Sequence, residues 1–154
     1  MKKIGNDVIF FEVDDNYNFD GLLPLRINIK GHYLGTLESP TYLTSFMGEM
    51  ESIVQDSYYL NENARIDNIE SILFNEYGEL VDMYRITIEE TFDDFSKRVI
   101  RNSESIFFYF KLFSNAFFEY SEVKENEGIL ECISKKDYVD ALELLKEYTA
   151  SFNV

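Results

Sequence analysis

Two segments near the start of the chain alternate between apolar and polar residues, as half-buried β-strands do. Residues 9–13 show this pattern, and residues 25–30 repeat it with arginine, asparagine and lysine on what reads as a solvent-facing side. The acidic stretch DDNYNFDG, residues 14–21, lies between them. We therefore predict a hairpin with a long acidic loop. Gly31 favours a second turn, followed by a short strand over residues 33–36.

The clearest helical periodicity follows this turn. Ser39 is a suitable N-cap and Pro40 suits the first helical position. One helix face then collects the apolar side chains at helical spacing, which are Tyr42, Leu43, Phe46, Met47, Met50, Ile53 and Val54.

Two further helices are predicted from N-terminal signals. Thr91 followed by Asp94 fits a capping box, which predicts a short helix. Its buried side chains would be Phe92, Phe95 and Val99, and its basic end Lys97, Arg98 and Arg101. The last helix starts at Ser134 with Asp137 in its first turn, and its buried side chains would be Tyr138, Ala141, Leu142, Leu145 and Tyr148.

The remaining segments are predicted to be strands. SILFNEYGELVDMYRITI, residues 71–88, fits a hairpin that turns at Tyr77–Gly78, although residues 61–76 also have helical spacing. The apolar run over 105–113 predicts a strand buried on both faces, and 129–134 a weaker strand. With about three helices and about six or seven strands, we predict an α+β fold, a mostly antiparallel sheet with the helices packed on it. No linker or repeat divides residues 1–154, so we expect one domain.

Net charge adds the strongest constraint on function. The chain has 14 Lys and Arg against 29 Asp and Glu, a formal net charge of −15, and 45% of its residues are apolar. The apolar fraction is too high for a disordered acidic tail, so the charge lies on a folded body. Such a field repels nucleic acid and anionic membranes and accelerates encounter with a basic protein. We expect a basic protein partner, no nucleic acid and no membrane.

Ligand and cofactor motifs are not found. DDNYNFDG resembles the start of an EF-hand loop, but Leu25 or Ile27 stands where the closing glutamate is required. Zinc needs several Cys or His ligands, and the chain has only Cys132 and His32. Neither a P-loop nor a dinucleotide-binding glycine motif is present. We therefore expect no cofactor, no metal ligand, no catalytic residue and no intramolecular disulfide.

The N-terminal stretch MKKIGNDVIFFEV interrupts its apolar run with asparagine, aspartate and glutamate. It lacks the apolar core and cleavage site of a signal peptide. No segment approaches the roughly 20 apolar residues that span a bilayer. The expected location is the cytoplasm.

Paired carboxylates leave one enzymatic alternative. IEETFDDF places Glu89, Glu90, Asp93 and Asp94 within six positions, and such acids can act in proton transfer or hold magnesium. The same acids also fit the first turn of a helix, where they favour the macrodipole. The structural interpretation is preferred, and a metal-dependent hydrolase stays as an alternative.

Two acidic stretches with interleaved aromatic residues are candidate partner surfaces. DDNYNFDG carries Tyr17 and Phe19 among its aspartates, and the second stretch follows the first predicted helix. Tyrosine is enriched at interface hot spots, and complementary charge raises association rates. The candidate partner-binding residues are Asp14, Asp15, Tyr17, Asp20, Asp56, Tyr58, Tyr59 and Glu62.

The first third of the chain resembles a known group of proteins. IGNDVIFFEV (4–13), LPLRINIKGHYLGTLE (23–38) with its turn IKGHYLG, and the amphipathic TYLTSFMGEM (41–50) resemble bacterial polymorphic-toxin and contact-dependent inhibition immunity proteins, in particular the immunity protein 42 type. The resemblance implies a small cytoplasmic protein that binds one cognate toxin domain and blocks it by stoichiometric inhibition, without catalysis. A nuclease toxin, with its basic cleft, would match the acidic surface. The alternative is an acidic adaptor or nucleic-acid mimic that binds a basic host protein.

Overall fold

The computed structural model describes residues 1–17 and 20–151. Within them lie nine β-strands, arranged in three antiparallel sheets, and three α-helices. The strands are β1 (Lys2–Gly5), β2 (Ile9–Val13), β3 (Leu22–Leu23), β4 (Leu25–Ile29), β5 (His32–Leu34), β6 (Thr41–Tyr42), β7 (Phe95–Arg101), β8 (Ser105–Leu112) and β9 (Gly128–Ser134), and the helices are α1 (Leu43–Gln55), α2 (Ile69–Leu73) and α3 (Lys135–Ala150). The predicted α+β class is confirmed, with more strands than expected: β1, β3 and β6 were not predicted, and β7 was predicted as a helix.

The first sheet has the order β1-β2-β4-β5, and its central hairpin β2–β4 is the predicted one. The alternation predicted a solvent-facing polar side for β4, but only Lys30 just beyond the strand is exposed, while Arg26 is half-buried. Arg26 bonds Glu12 at 2.8 Å, and its guanidinium lies 3.8 Å from the ring centre of Tyr33. Asn28 is buried as well. A charge-assisted hydrogen bond and a cation–π contact therefore cover this side of the sheet.

Helix α1 begins later than its sequence signals predict. The prediction of an N-cap at Ser39 is wrong, because Thr41–Tyr42 is extended and pairs with β3 as β6. The amide of Leu43 then donates to the Gly21 carbonyl at 2.9 Å, where the helix starts. Tyr42 consequently leaves the buried face and is 46% exposed.

The predicted helix after Thr91 is also wrong. Only Glu90–Phe92 forms a 3-10 turn, and residues 95–101 form β7, paired with β8 along its whole length. The predicted inward side chains, Phe92, Phe95 and Val99, are buried nevertheless. A spacing of three and four residues fits a helix, and only the long-range pairing with β8 decides for a strand. The basic residues of this segment are buried in the sheet instead of ending a helix.

The second sheet, β7-β8-β9, divides the apolar interior into two clusters. Strand β8 is buried on both faces, as predicted. Phe108 and Phe110 face the main core, which the first sheet, α1 and α3 share. Phe107 and Tyr109 face a smaller cluster under residues 64–84.

The segment between α1 and β7 differs from the predicted hairpin. Residues 69–73 form the short helix α2, and the turn at Gly78 forms with a φ of +76°. The two predicted strands of this hairpin do not form, and one β-bridge pairs Phe74 with Leu80 across the turn. Tyr84 and Ile88 are buried in alternation, but their φ angles of +67° and +65° interrupt any strand.

Helix α3 follows the prediction closely. The Ser134 hydroxyl accepts from the Asp137 amide at 3.0 Å, as an N-cap does. The buried hydroxyl of Tyr138 donates to the Met50 carbonyl of α1 at 2.7 Å and fixes the two helices to each other. Among residues 1–17 and 20–151, no helix has the length and apolarity that crossing a membrane requires.

An aromatic column joins the two sheets through α1. The Phe46 ring meets Phe11 of β2 edge to face at 5.9 Å and stacks on Phe92 at 5.7 Å. All three rings are fully buried. Gly35 lies against Phe92, where an added Cβ would be 2.5 Å from the ring and the φ of +101° already favours glycine.

Replacing the central ring tests this column. We expect Phe46→Ala to lower the free energy of unfolding by about 3–5 kcal/mol, because it loses burial and leaves a cavity between two rings. Urea denaturation followed by circular dichroism measures the change. Tyr77→Ala, at a ring that is 78% exposed, is the matched control and should change stability by less than about 0.5 kcal/mol. A Phe46→Ala loss no larger than the control would contradict the role of the column.

Candidate partner interface

The acidic loop after β2 is partly organised by its own backbone. Asp14 accepts the Asn16 amide at its Oδ1, 3.1 Å away, and its carbonyl accepts the Tyr17 amide at 3.2 Å. Asp14 therefore shapes the turn as well as adding charge. Asn18 and Phe19, including the predicted aromatic at position 19, lie outside the described residues.

The other members of this loop face solvent. Asp15 and Asp20 are exposed, and Asp20 has a φ of +44°. Asp15 Oδ1 lies 3.5 Å from the amino group of Met1. Tyr17 and Asp20 line a groove of about 770 Å³ together with Leu22 and Tyr42. The first candidate group is thus an exposed acidic edge beside an aromatic groove.

The second candidate group lies just beyond α1. Asp56 Oδ1 accepts the Tyr58 amide at 2.9 Å and so caps a short 3-10 turn. Tyr58 is 47% exposed and Glu62 is exposed. Tyr59 is different, since it is only 6% exposed and its burial raises its pKa. The Tyr59 ring instead supports that of Tyr58, edge to face at 5.1 Å.

The two groups lie at opposite ends of α1. Thirteen helical residues separate them, which is about 20 Å along the axis. Two guanidinium groups lie against the backbone of the second group. Arg101 Nη1 donates to the Asp56 carbonyl at 3.1 Å, and Arg65 Nη1 to the Glu62 carbonyl at 2.7 Å. The acidic loop carries three aspartates, one of them beside the Met1 amino group, against two acids in the second group.

A second groove continues the first one across Leu22 and Tyr42. Its volume is about 560 Å³, and Phe117 and Phe118 form its apolar wall. The carboxylates that line it are Glu89, Glu90, Asp93 and Asp94. In the part of the chain that the structure describes, no lysine or arginine lines either groove. The two grooves form one face, which we call the acidic-aromatic face.

Asp94 has a different role from the predicted capping box. Its carboxylate accepts the amides of Phe117 and Phe118 at 2.8 and 3.0 Å and the hydroxyl of Tyr120 at 2.9 Å. Burial and this hydrogen bond raise the pKa of Tyr120. Because both carboxylate oxygens are engaged, Asp94 holds the loop after β8 in place and has little capacity left for a metal ion.

The paired carboxylates do not converge on a ligand site. Glu90 and Asp93 point to solvent, while Asp94 is held by the loop after β8. Across residues 1–17 and 20–151, no three Asp, Glu, His or Cys side chains are grouped so that they could hold a metal ion. The metal-dependent hydrolase therefore gains no geometric support from these acids.

Lys97 is the one buried amine with a strongly shifted pKa among the described residues. Its Nζ donates to the carbonyls of Phe92 and Phe95 at 2.7 and 3.0 Å. Burial lowers its pKa to about 8, partly opposed by the charges of Asp93 and Asp94. Both of its contacts are backbone carbonyls, so its role is to close the turn before β7.

Sequence reasoning missed two residues of the acidic-aromatic face. Tyr42 was assigned to the buried face of α1, and Phe117 was not singled out. The one available signal for Phe117 was the pair Phe117–Phe118 in a polar stretch that has neither helical nor strand periodicity. A ring in a stretch without periodicity can be either buried in the core or exposed, and the sequence does not distinguish these two cases.

Comparison with known proteins gives one structural likeness. No family model matches the chain, and no curated protein does. The crystal structure of CdiI from Burkholderia dolosa AUO158 superposes with a TM-score of 0.53 at 9% identity, over 97% of this chain and 99% of that one. The predicted resemblance to contact-dependent inhibition immunity proteins is therefore confirmed at the level of the fold.

Removing the Asp94 carboxylate tests its hold on the loop. We expect Asp94→Ala to lower the free energy of unfolding by about 2–4 kcal/mol, because three donors lose a charged acceptor. Chemical denaturation measures the change. Asp93→Ala removes the same charge from an exposed neighbour and should cost less than about 0.5 kcal/mol. Equal losses in the two variants would contradict the assignment.

The lowered pKa of Lys97 predicts that the stability of the fold depends on pH. Its folded pKa of about 8 lies below the ordinary lysine pKa of 10.5, so between these pH values the unfolded chain binds a proton that the folded chain does not. Stability from this group therefore rises with pH in that window. Lys97→Met removes the effect, and we expect the stability difference between wild type and variant to shift in favour of wild type by on the order of 2 kcal/mol from pH 8 to pH 10. Parallel pH profiles would contradict a depressed lysine pKa.

Proposed function

We propose that this chain is an immunity protein that binds a cognate bacterial toxin domain and neutralises it by stoichiometric inhibition. The observation that carries the proposal is the shared fold with CdiI, which extends over nearly the whole of both chains. A likeness confined to a common hairpin or helix pair would carry far less weight, because such motifs recur in unrelated proteins.

The negative net charge of the chain supports a toxin with a basic surface. A net charge of −15 speeds the approach of a positively charged protein and slows that of other acidic ones. Nucleases bind a polyanion and therefore present basic clefts. We accordingly propose a nuclease as the toxin, captured by steering and then held by buried aromatic contacts.

The acidic-aromatic face is the proposed contact surface. Asp15 and Asp20 would pair with toxin Lys or Arg, and Tyr17 would contribute ring surface, while Asp14 sets the shape of the loop. Asp56, Tyr58 and Glu62 form a second proposed contact at the other end of α1, with Tyr59 supporting Tyr58 from below. A toxin domain of ordinary interface size can cover both, because interfaces extend well beyond the roughly 20 Å that separates the groups.

The proposal treats residues 1–154 as one immunity domain that acts in the cytoplasm, where an incoming toxin meets its substrate. Inhibition by occupancy needs neither a cofactor nor a catalytic group. The property to measure is therefore the affinity of a complex with one partner, and not a catalytic rate.

Co-purification with the protein encoded immediately upstream tests the proposal. The tagged chain and this protein are expressed together, purified, and measured at about 0.1 M and about 0.5 M salt, where charges are screened beyond a few ångströms. We expect a 1:1 complex that associates more slowly at the higher salt. Absence of a complex at both salt concentrations would contradict the proposal, and recovery of a basic host protein from cells without the toxin gene would favour the acidic adaptor instead.

A single charge in the loop tests electrostatic steering. Asp20→Asn keeps a residue type that tolerates the positive φ, so the fold is preserved. We expect its association rate with the toxin to fall about two- to fivefold at low salt. The control is Asp7→Asn, an equal charge change at an exposed residue in the turn at the far end of β2. Equal rates for the two variants would show that only the total charge matters.

A further inference from the structure

The loop after β8, residues 113–120, is fixed although it contains no regular element. Asp94 binds two of its amides and the Tyr120 hydroxyl. The amide of Glu119 donates to Glu38 Oε2 at 2.9 Å, and the Tyr120 ring packs on Phe95 at 5.3 Å. Contacts from two separate parts of the chain, residue 38 and residues 94–95, therefore hold this loop in one conformation.

Phe117 is exposed at the tip of this fixed loop. It is 85% exposed, more than any other large apolar side chain in the described residues. The Phe118 ring supports it edge to face at 5.0 Å and is itself partly buried. Folding leaves the Phe117 ring in water while the surrounding hydrogen bonds fix its backbone, an arrangement that marks a contact surface.

The surroundings of Phe117 define the chemistry of its partner. The adjoining groove of about 560 Å³ is lined by Tyr42 on its apolar side and by Glu90 and Asp93 at its rim. A second copy of this chain would bring like charges together in this groove, which is unfavourable. A basic surface that carries an apolar pocket is complementary to the groove in both charge and shape.

We propose that Phe117 is the principal aromatic anchor of the toxin-binding face. The ring inserts into an apolar pocket of the toxin, and toxin Lys or Arg side chains occupy the groove between Tyr42 and Asp93. This inference rests on the proposed function, and it selects the Phe117 end of the acidic-aromatic face as the centre of the interface. Asp94 acts as a positioning residue, because it binds the loop backbone and its carboxylate is already occupied.

Binding of Phe117→Ala to the protein encoded immediately upstream tests the inference. We expect the Kd to rise about 30-fold or more, mainly through faster dissociation, with an unchanged melting temperature because the ring is exposed. Tyr77→Ala is the matched control, since Tyr77 is 78% exposed and lies in the segment that covers the opposite face of the second sheet. Its Kd should stay within about twofold of wild type.

A second pair of variants tests the rim. Glu90→Gln should slow association about two- to fivefold at low salt, whereas Glu76→Gln, an exposed acid in the turn near Tyr77, should leave the rate unchanged.

The outcomes separate the inference from the function on which it rests. If wild type binds and Phe117→Ala binds equally well, the inference is wrong and the proposed function stands. If wild type does not bind, both are overturned. Self-association of the free chain that Phe117→Ala abolishes, with toxin binding unchanged, would assign the ring to a second copy and likewise overturn the inference.

Discussion

The packing of the Phe46 ring between Phe11 and Phe92 sets how α1 and the two larger sheets are arranged. It fixes α1 against the first sheet and, through Phe92, against the turn that leads into the second sheet. A buried hydrogen bond of 2.7 Å between the hydroxyls of Thr41 and Thr91 ties the start of α1 to the same turn. Tyr42 and the carboxylates of residues 89–94 are neighbours for this reason, and together they form the acidic-aromatic face.

That face is a poor arrangement for stability alone. Carboxylates gathered without lysine or arginine in the described grooves repel one another, and an exposed phenylalanine gains nothing from folding. Arg26, by contrast, is paired with Glu12 at 2.7 Å in the first sheet. The proposed toxin would supply the positive charge and the apolar pocket that this face lacks.

The sequence predicts the parts of the fold in which one periodicity has no competitor. The aromatic run of β8 and the capped helix α3 are examples, and both were predicted correctly. Residues 95–101 were assigned to a helix because their apolar spacing fits one, and only pairing with a distant strand decides otherwise. The candidate site was less accessible still. The acidic loop could be read from charge, but Phe117 could not, because exposure of one ring depends on how Asp94 holds a loop more than 20 residues away in sequence.

Amide hydrogen exchange of the free chain, and of its mixture with the protein encoded immediately upstream, locates the toxin interface without any substitution. We predict slower exchange on binding at residues 20–23, 56–62 and 115–120, with residues 75–83 unchanged. Slower exchange confined to residues 64–83, behind the second sheet, would contradict the assignment of the acidic-aromatic face. Unchanged exchange throughout would contradict the immunity function itself.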